Sequence, residues 1–231
     1  LCGTKNGCYK SISMLSNKSR TAVVVLTWNG LERLQNTLET FHKYNGYGVP
    51  VYIVDNRSTD GTIEFIKKEN KYNLVENNSN LGIFLGTFAG LNRVVDDGYD
   101  FVINVQNDFP SLYATPIDRL QTYLDANLDV GFVRLNDKKD KSKNLITNEK
   151  IVYDKWEALS RKIRIAKSNY HISFNPNMIR CSIVKHLSQT DKIRERGMME
   201  QFEMLGLRSA KINPPCYKTF PCRDRINGWT H

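Results

Sequence analysis

Four short polar segments close apolar runs in the first half of the chain. They are Thr27-Trp28-Asn29 after "TAVVVLT", Asp55-Asn56-Arg57 after "VPVYIVD", Asn78-Ser79-Asn80-Leu81-Gly82 after "YNLVEN", and Gln106-Asn107-Asp108 after "DFVINVQ". Carboxylates and carboxamides at such places either fold back into an Asx turn or offer hydrogen bonds to a ligand. A glycine such as Gly82 lets backbone and ligand come close. Arg57 either approaches a phosphate or is simply solvated. Asp108 poses the sharpest choice: "FVINVQNDFP" ends an apolar run on a carboxylate, with Pro110 close behind, so it is a turn or cap residue or part of a site. The chain carries a formal charge of +9 and a pI near 9.3, a balance that points to an anionic partner: nucleic acid, an acidic membrane surface or a phosphorylated small molecule.

The elements around these segments predict how they come together. "TAVVVLT" is a continuous β-branched run, as expected of a strand buried on both faces. In "GLERLQNTLETFHKY", Leu31, Leu34, Leu38 and Phe41 recur at helical spacing. A second strand follows over 49–55, and a short helix after Asp60, which is placed to cap it. A third, weaker strand spans 72–77, a glycine-punctuated loop enters a helix, and a fourth strand spans 100–106. This β-α-β-α-β-α-β order implies a parallel sheet with helices on both faces. Ligands of open α/β sheets bind at the carboxyl ends of the strands, where all four polar segments fall. Beyond Asp108 the pattern predicts a helix in "PIDRLQTYLDAN", a strand in "VGFVRLN", a charged loop in "NDKKDKSKN", and a loop in "SFNPNMIRCSIVKHL" leading to a helix from about Met178.

Length and composition bound the rest. The 231 residues suffice for one large domain with an elaborated C-terminal part. Residues 1–20 read as a polar extension. The five cysteines, Cys2, Cys8, Cys181, Cys216 and Cys222, form no CxxC and read as ordinary reduced thiols, which favours a cytoplasmic location. No apolar run approaches the ~20 residues of a membrane span, and no signal-peptide pattern opens the chain. A start at Leu1 fits a processed chain or a domain of a larger protein. No helix-turn-helix, zinc finger or RNP-like pattern supports a nucleic-acid partner.

Read together, "VVVLTWNGLERLQNTLETF", "VYIVDNRSTDGT" and "NNSNLGIFLGTFAGLN" resemble, in that order, the opening segments of the inverting nucleotide-sugar glycosyltransferases of family 2, with the GT-A fold. The second is the most specific, matching Val-Asp-Asn-x-Ser-x-Asp-Gly-Thr. The resemblance covers about residues 21–110, which it implies to be the nucleotide-sugar-binding half of a single domain, with 111–231 as the acceptor-binding half. It implies that Asp55 accepts a base N–H and that Thr27 and Asn29 line the base pocket. Asn80 and Gly82 then approach the nucleoside, and Arg57, Gln106 and Asn107 lie along the donor. In the family the fourth strand ends in an Asp-x-Asp-type metal motif. Here Gln106-Asn107-Asp108 keeps only the last acid, and some relatives carry Asn-Pro-Asp there. One carboxylate with diphosphate oxygens and waters can hold Mn²⁺ or Mg²⁺.

The late segment "ERGMMEQFEMLGLRSAKI" resembles the part of the family where an acid pair opens a helix. On that basis Glu200 takes the base role, with Glu203 as substitute; inverting transfer needs a carboxylate to accept the acceptor's hydroxyl proton. Asn175 and Arg180 are candidate acceptor contacts, and His231 a further metal ligand. The basic stretch "SRKIRIAKSNYH" faces phosphate, acceptor, membrane or solvent. The expected partners are a nucleoside-diphosphate sugar and a glycan, glycoprotein or glycolipid acceptor, with peripheral membrane contact left open. A nucleotidyltransferase is the first rival, although "TWNGLERLQ" lacks a glycine-rich loop with a basic residue. A non-catalytic nucleotide-sugar-binding module is the second, supported by Gln106 in place of an acid.

Overall fold

The computed structural model describes residues 19–136, 150–169, 176–187 and 195–218. Asn175, His231 and most of "NDKKDKSKN" lie outside them. The first half alternates β1 (Thr21–Thr27), α1 (Leu31–Asn45), β2 (Val51–Asp55), α2 (Thr62–Glu69), β3 (Asn73–Glu76), α3 (Gly82–Asp96) and β4 (Phe101–Gln106). There follow α4 (Ile117–Ala126), β5 (Val130–Arg134), β6 (Glu157–Ala158), β7 (Arg164–Ser168), β8 (Asn177–Arg180), α5 (Cys181–Val184), α6 (Glu195–Met204) and β9 (Arg208–Asn213).

Among the described residues nine strands form one sheet in the order β3-β2-β1-β4-β8-β5-β9-β7-β6. The first four pair in parallel, as their run of βα units dictates. β8 is antiparallel to both β4 and β5, so β5 and β9 again point the same way as β4. β7 and β6 close the far edge as an antiparallel hairpin.

The sheet has a core on each face. Leu34, Leu38, Phe41, Ile66, Leu120 and Leu124 from α1, α2 and α4 cover one face. Phe88, Leu91, Val94, Ile183, Val184, Met198 and Phe202 from α3, α5 and α6 cover the other. α3 lies unusually close to the strands. A Cβ on Gly90 would come within 2.5 Å of Val24 and Val54, and one on Gly86 within 2.9 Å of Leu26. The two glycines four residues apart therefore make the flat face on which α3 packs.

The stretch expected to be helical from Met178 is instead β8. The chain turns from strand to helix within "NMIRCSIV", at Arg180–Cys181, with Met178 and Ile179 buried before the turn and Cys181, Ile183 and Val184 after it. Both halves are buried, so no alternation marks the change. The helix expected over 116–127 is found at Ile117–Ala126, and the strand expected from Val130 ends at Arg134.

Candidate active site

The parallel registers set the four polar segments level with one another. Thr27 pairs with Asp55, Asp55 with Glu76, and Leu26 with Gln106. With strands about 4.8 Å apart, the ends of β2 and β4 stand about 10 Å from each other.

Two loops are stapled together first. Asn29 donates its N–H to Ser58 Oγ (2.9 Å), and its side-chain oxygen accepts from the Thr59 N–H (2.8 Å). Asp60 completes the staple by accepting from the Leu31 N–H (3.1 Å) and from the Thr62 hydroxyl (2.6 Å). It thereby serves the starts of both α1 and α2, neither of which has a capping side chain of its own. Partial burial works against the Asp60 charge, but the Thr62 hydroxyl and the N–H groups of Leu31 and Thr62 outweigh it and hold the carboxyl below its usual range.

Asp55 is fully buried. Its Oδ1 accepts the Ser58 N–H at 2.7 Å, closing an Asx turn, while Oδ2 is buried with no hydrogen-bond partner. The turn therefore uses one oxygen of the carboxylate and leaves the other open. A buried carboxylate oxygen without a donor is costly, and a base N–H would satisfy it.

Asn56 organises the next loop, a role the sequence does not reveal. Fully buried, it donates from Nδ2 to Asn80 Oδ1 (3.2 Å) and to the Gly82 carbonyl (3.0 Å), and accepts at Oδ1 from Asn77 Nδ2 (2.8 Å). Asn80 in turn accepts the Gly82 N–H at 2.9 Å, at the left-handed φ of 72° that glycine permits. Gly86 leaves room for this hub, since a Cβ there would lie 2.7 Å from Asn56 Nδ2. Arg57 donates to the Asn78 carbonyl at 2.9 Å from a backbone φ of 63°.

At the end of β4, Asn107 turns inward. It donates from Nδ2 to Thr27 Oγ1 (2.9 Å), and its carbonyl accepts the Thr37 hydroxyl (2.8 Å). Thr27 is fully buried, and its carbonyl accepts the Asn56 N–H. Asn107 and Thr27 thus hold the loops in place, with their side chains bonded to each other. Gln106 and Asp108 are partly exposed beside them. Among the described residues no three His, Cys, Asp or Glu side chains gather to hold a metal. Asp108 is the carboxylate this end of β4 offers.

Two second-half residues stand elsewhere than expected. Arg180 pairs with Phe101 at the start of β4, because β8 runs antiparallel, so it lies at the far end of the sheet. There it donates to the carbonyls of Leu124 (2.5 Å) and Asn127 (3.4 Å) and lines a hollow of about 480 Å³ with Arg20, Asp100 and Asp125. That hollow is remote from every strand end described above. Glu200 lies in the middle of α6, which opens five residues earlier, at Glu195. Met198 and Phe202 face the sheet, so at 100° per residue the exposed Glu200 points away from it. Glu203 is exposed too.

The model of the family described as "Glycosyl transferase family 2" matches residues 22–187, most of the chain. The chain belongs to this family. Solved structures agree on the GT-A fold. TarS of S. aureus superposes with a TM-score of 0.60 at 16% identity, over 87% of this chain and 36% of that one. GalNAc-T7 with UDP, GalNAc and Mn²⁺ gives 0.63 at 12% identity, over 93% and 46%. The mannosyltransferase PcManGT from Pyrobaculum calidifontis with GDP-Man and Mn²⁺ gives 0.57 at 15% identity, over 92% and 59%. The family 2 chain thus spans between about a third and three-fifths of these neighbours. No curated protein matches the sequence. Among the described residues no helix is long and apolar enough to cross a membrane.

Proposed function

We propose that the protein transfers a sugar from a nucleoside-diphosphate sugar to a hydroxyl acceptor with inversion. The observation that carries this reading is the Asp55 carboxylate: one oxygen closes the turn and the other is buried without a partner, level with three further polar strand ends. Family membership and neighbours crystallised with UDP or GDP-Man support it.

Asp55 Oδ2 accepts a base N–H, and the Asn77–Gly82 loop held by Asn56 closes over the nucleoside. Arg57 and the net positive charge favour the diphosphate. The acceptor hydroxyl attacks the anomeric carbon, the bond from that carbon to the diphosphate oxygen breaks, and a carboxylate takes the hydroxyl proton. A glutamate of α6 is the base. Glu200 is the candidate by resemblance, with Glu203 as the substitute. Mn²⁺ or Mg²⁺ held by Asp108 and the diphosphate would offset charge on the leaving group. The lone carboxylate fits such an ion only with the donor supplying most ligands. It also favours a second reading, a nucleotide-sugar-binding module without turnover.

Hydrolysis of UDP-, GDP- and dTDP-sugars, measured with Mn²⁺ and with EDTA, tests these readings. One donor is expected to be cleaved faster with metal, and Asp108→Asn to remove the difference. Tight donor binding with no turnover supports the module instead. Equal binding with EDTA refutes metal assistance, and no binding of any nucleotide refutes the reading altogether.

A further inference from the structure

The basic stretch around residue 161 is placed by the strand registers. Asn104 pairs with Asn177, Asn177 with Arg134, Arg134 with Lys211 and Lys211 with Ala166, so one row crosses β4, β8, β5, β9 and β7. Two residues up from this row stand Gln106 on β4 and, because β7 runs the other way, Arg164, which pairs with Asn213. The β6–β7 turn at 160–163 therefore rises beyond the same level as Asn107 and Asp108, at the catalytic end of the sheet. Four strand steps separate β4 from β7, which is about 19 Å.

The turn is a built feature. Leu159 and Ile165 anchor it in the core. Ser160 Oγ accepts the N–H groups of Lys162 (3.3 Å) and Ile163 (3.1 Å), and the Ile163 carbonyl accepts those of Leu159 and Ser160. Arg161, Lys162 and Arg164 are all exposed on it. Arg164 donates one N–H to the Trp156 carbonyl, and no ion pair to it is found among the described residues. Glu157 is the acid of β6, and it pairs with Ile165, one row below Arg164. Nearer the transfer site, the exposed Lys218 donates its backbone N–H to the Pro110 carbonyl, two residues past Asp108.

We propose that this hairpin and Lys218 hold an anionic acceptor: a carboxylate- or phosphate-bearing glycan several sugars long, with its reacting hydroxyl at the β4 end and its chain running across the top of the sheet to Arg161 and Lys162. The proposal rests on the glycosyltransferase reading and names its acceptor class. Cations set about 19 Å from the strand end serve a long polyanion and are out of reach of a disaccharide. An acidic membrane is the weaker fit, since membrane-seated basic surfaces carry apolar residues beside the cations. Of the exposed apolar residues, Leu128, Met204 and Leu205 lie at the opposite end of the sheet, where the Asp129 carbonyl accepts the Arg208 N–H, and Leu81 and Ile83 lie at the start of α3, on the β3 side of the sheet away from the hairpin, while Tyr113 is exposed near Lys218.

The test compares the full chain with its Arg161→Ala/Lys162→Ala and Arg161→Glu/Lys162→Glu variants. Binding is followed by fluorescence anisotropy of a long labelled oligogalacturonate and a phosphomannan oligosaccharide. The Ala pair is expected to weaken binding of one or both by about three- to tenfold, the worth of two exposed ion contacts, and the Glu pair by more. The difference should fade at high salt, while UDP and GDP affinities stay unchanged. Preference for oligogalacturonate or for phosphomannan tells carboxylate from phosphate. Unchanged affinity in both variants overturns the proposal, as does a disaccharide bound as tightly as the long chain. So does tighter binding to poly(U) RNA or to phosphatidylglycerol vesicles than to either glycan. Failure of every sugar nucleotide to bind would sink the glycosyltransferase reading, while the glycan titrations would still report on the hairpin.

Discussion

Removal of the Asn56 side chain should unfasten the loop that closes the nucleoside side of the cleft. Asn56→Ala deletes three hydrogen bonds, to Asn80 (3.2 Å), to the Gly82 carbonyl (3.0 Å) and from Asn77 (2.8 Å). Each is worth about 0.5–1.5 kcal/mol net. The bond to Asn80 is the longest, and the exposed Asn80 regains water, so a total of about 2–3 kcal/mol is expected in urea unfolding. If the loop's order rests on this residue, about 2 kcal/mol reappears as a loss of nucleotide affinity near 30-fold, readable by calorimetry. Gly86 supplies the internal control. Gly86→Ala places a Cβ 2.7 and 2.8 Å from the Asn56 amide and 2.9 Å from Leu26, an overpacking cost of about 1–3 kcal/mol. In the Asn56→Ala background two of those three clashes vanish. The double variant should then be more stable than the two single losses added, by about 1 kcal/mol. Strict additivity, or an Asn56→Ala protein as stable as the parent, would refute the hub.

Asp55→Asn should keep the turn to Ser58 yet lose the second acceptor, so stability should fall less than in Asp55→Ala while nucleotide affinity drops by ~1–3 kcal/mol; wild-type affinity in Asp55→Asn would show that the buried oxygen serves no ligand. Of Glu200→Gln and Glu203→Gln, the variant of the base should lose ~10²–10⁴ in turnover with donor affinity kept, and two fully active variants would place the base elsewhere. Asp60 has a depressed pKa, so its contribution to stability is present above the unfolded value near 3.9 and is lost as pH falls below that through the folded value. Asp60→Asn should therefore be less stable than the parent at neutral pH and match it more closely below about pH 3; parallel stability curves from pH 6 to about pH 3 would contradict this.

The first half of the fold was legible because parallel strands buried on both faces write themselves as unbroken β-branched runs. β1 lies where "TAVVVLT" put it, and the carboxyl ends followed from the order of elements. The second half hid its strands in short pieces. β8 has four residues and runs without a break into α5, and β6 has two. Antiparallel insertion of β8 also carried Arg180 to the wrong end of the sheet for an acceptor contact. Asp55 could be assigned to the cleft because a strand end fixes its height. Asn56 could not be given its role, since Asn77, Asn80, Gly82 and Gly86 lie 21 to 30 residues away and meet it only through the β2–β3 register. Thr27 and Asn107 look like ligands in sequence and are each other's partners in the fold. Among the described residues Cys181 and Cys216 are free, and burial pushes both up to about 12.

The loops of the cleft are held before any ligand arrives. Two non-glycine residues within them, Asn29 at φ 43° and Arg57 at φ 63°, occupy the left-handed region, which is tolerable for asparagine and uncommon for arginine. Each is held there by bonds to a neighbouring loop: Asn29 to Ser58 and Thr59, Arg57 to the Asn78 carbonyl. Asn56 ties that same loop down from below. Strain of this kind persists only where the surroundings over-determine the backbone, and here three successive strand ends do so. A nucleotide entering such a site pays little to order it, which favours affinity. Ser58→Ala removes the hydroxyl that holds Asn29, and Asn78→Gly frees the backbone whose carbonyl holds Arg57; both leave the Asp55 and Asp108 side chains in place, so any affinity they lose measures what this preorganisation contributes.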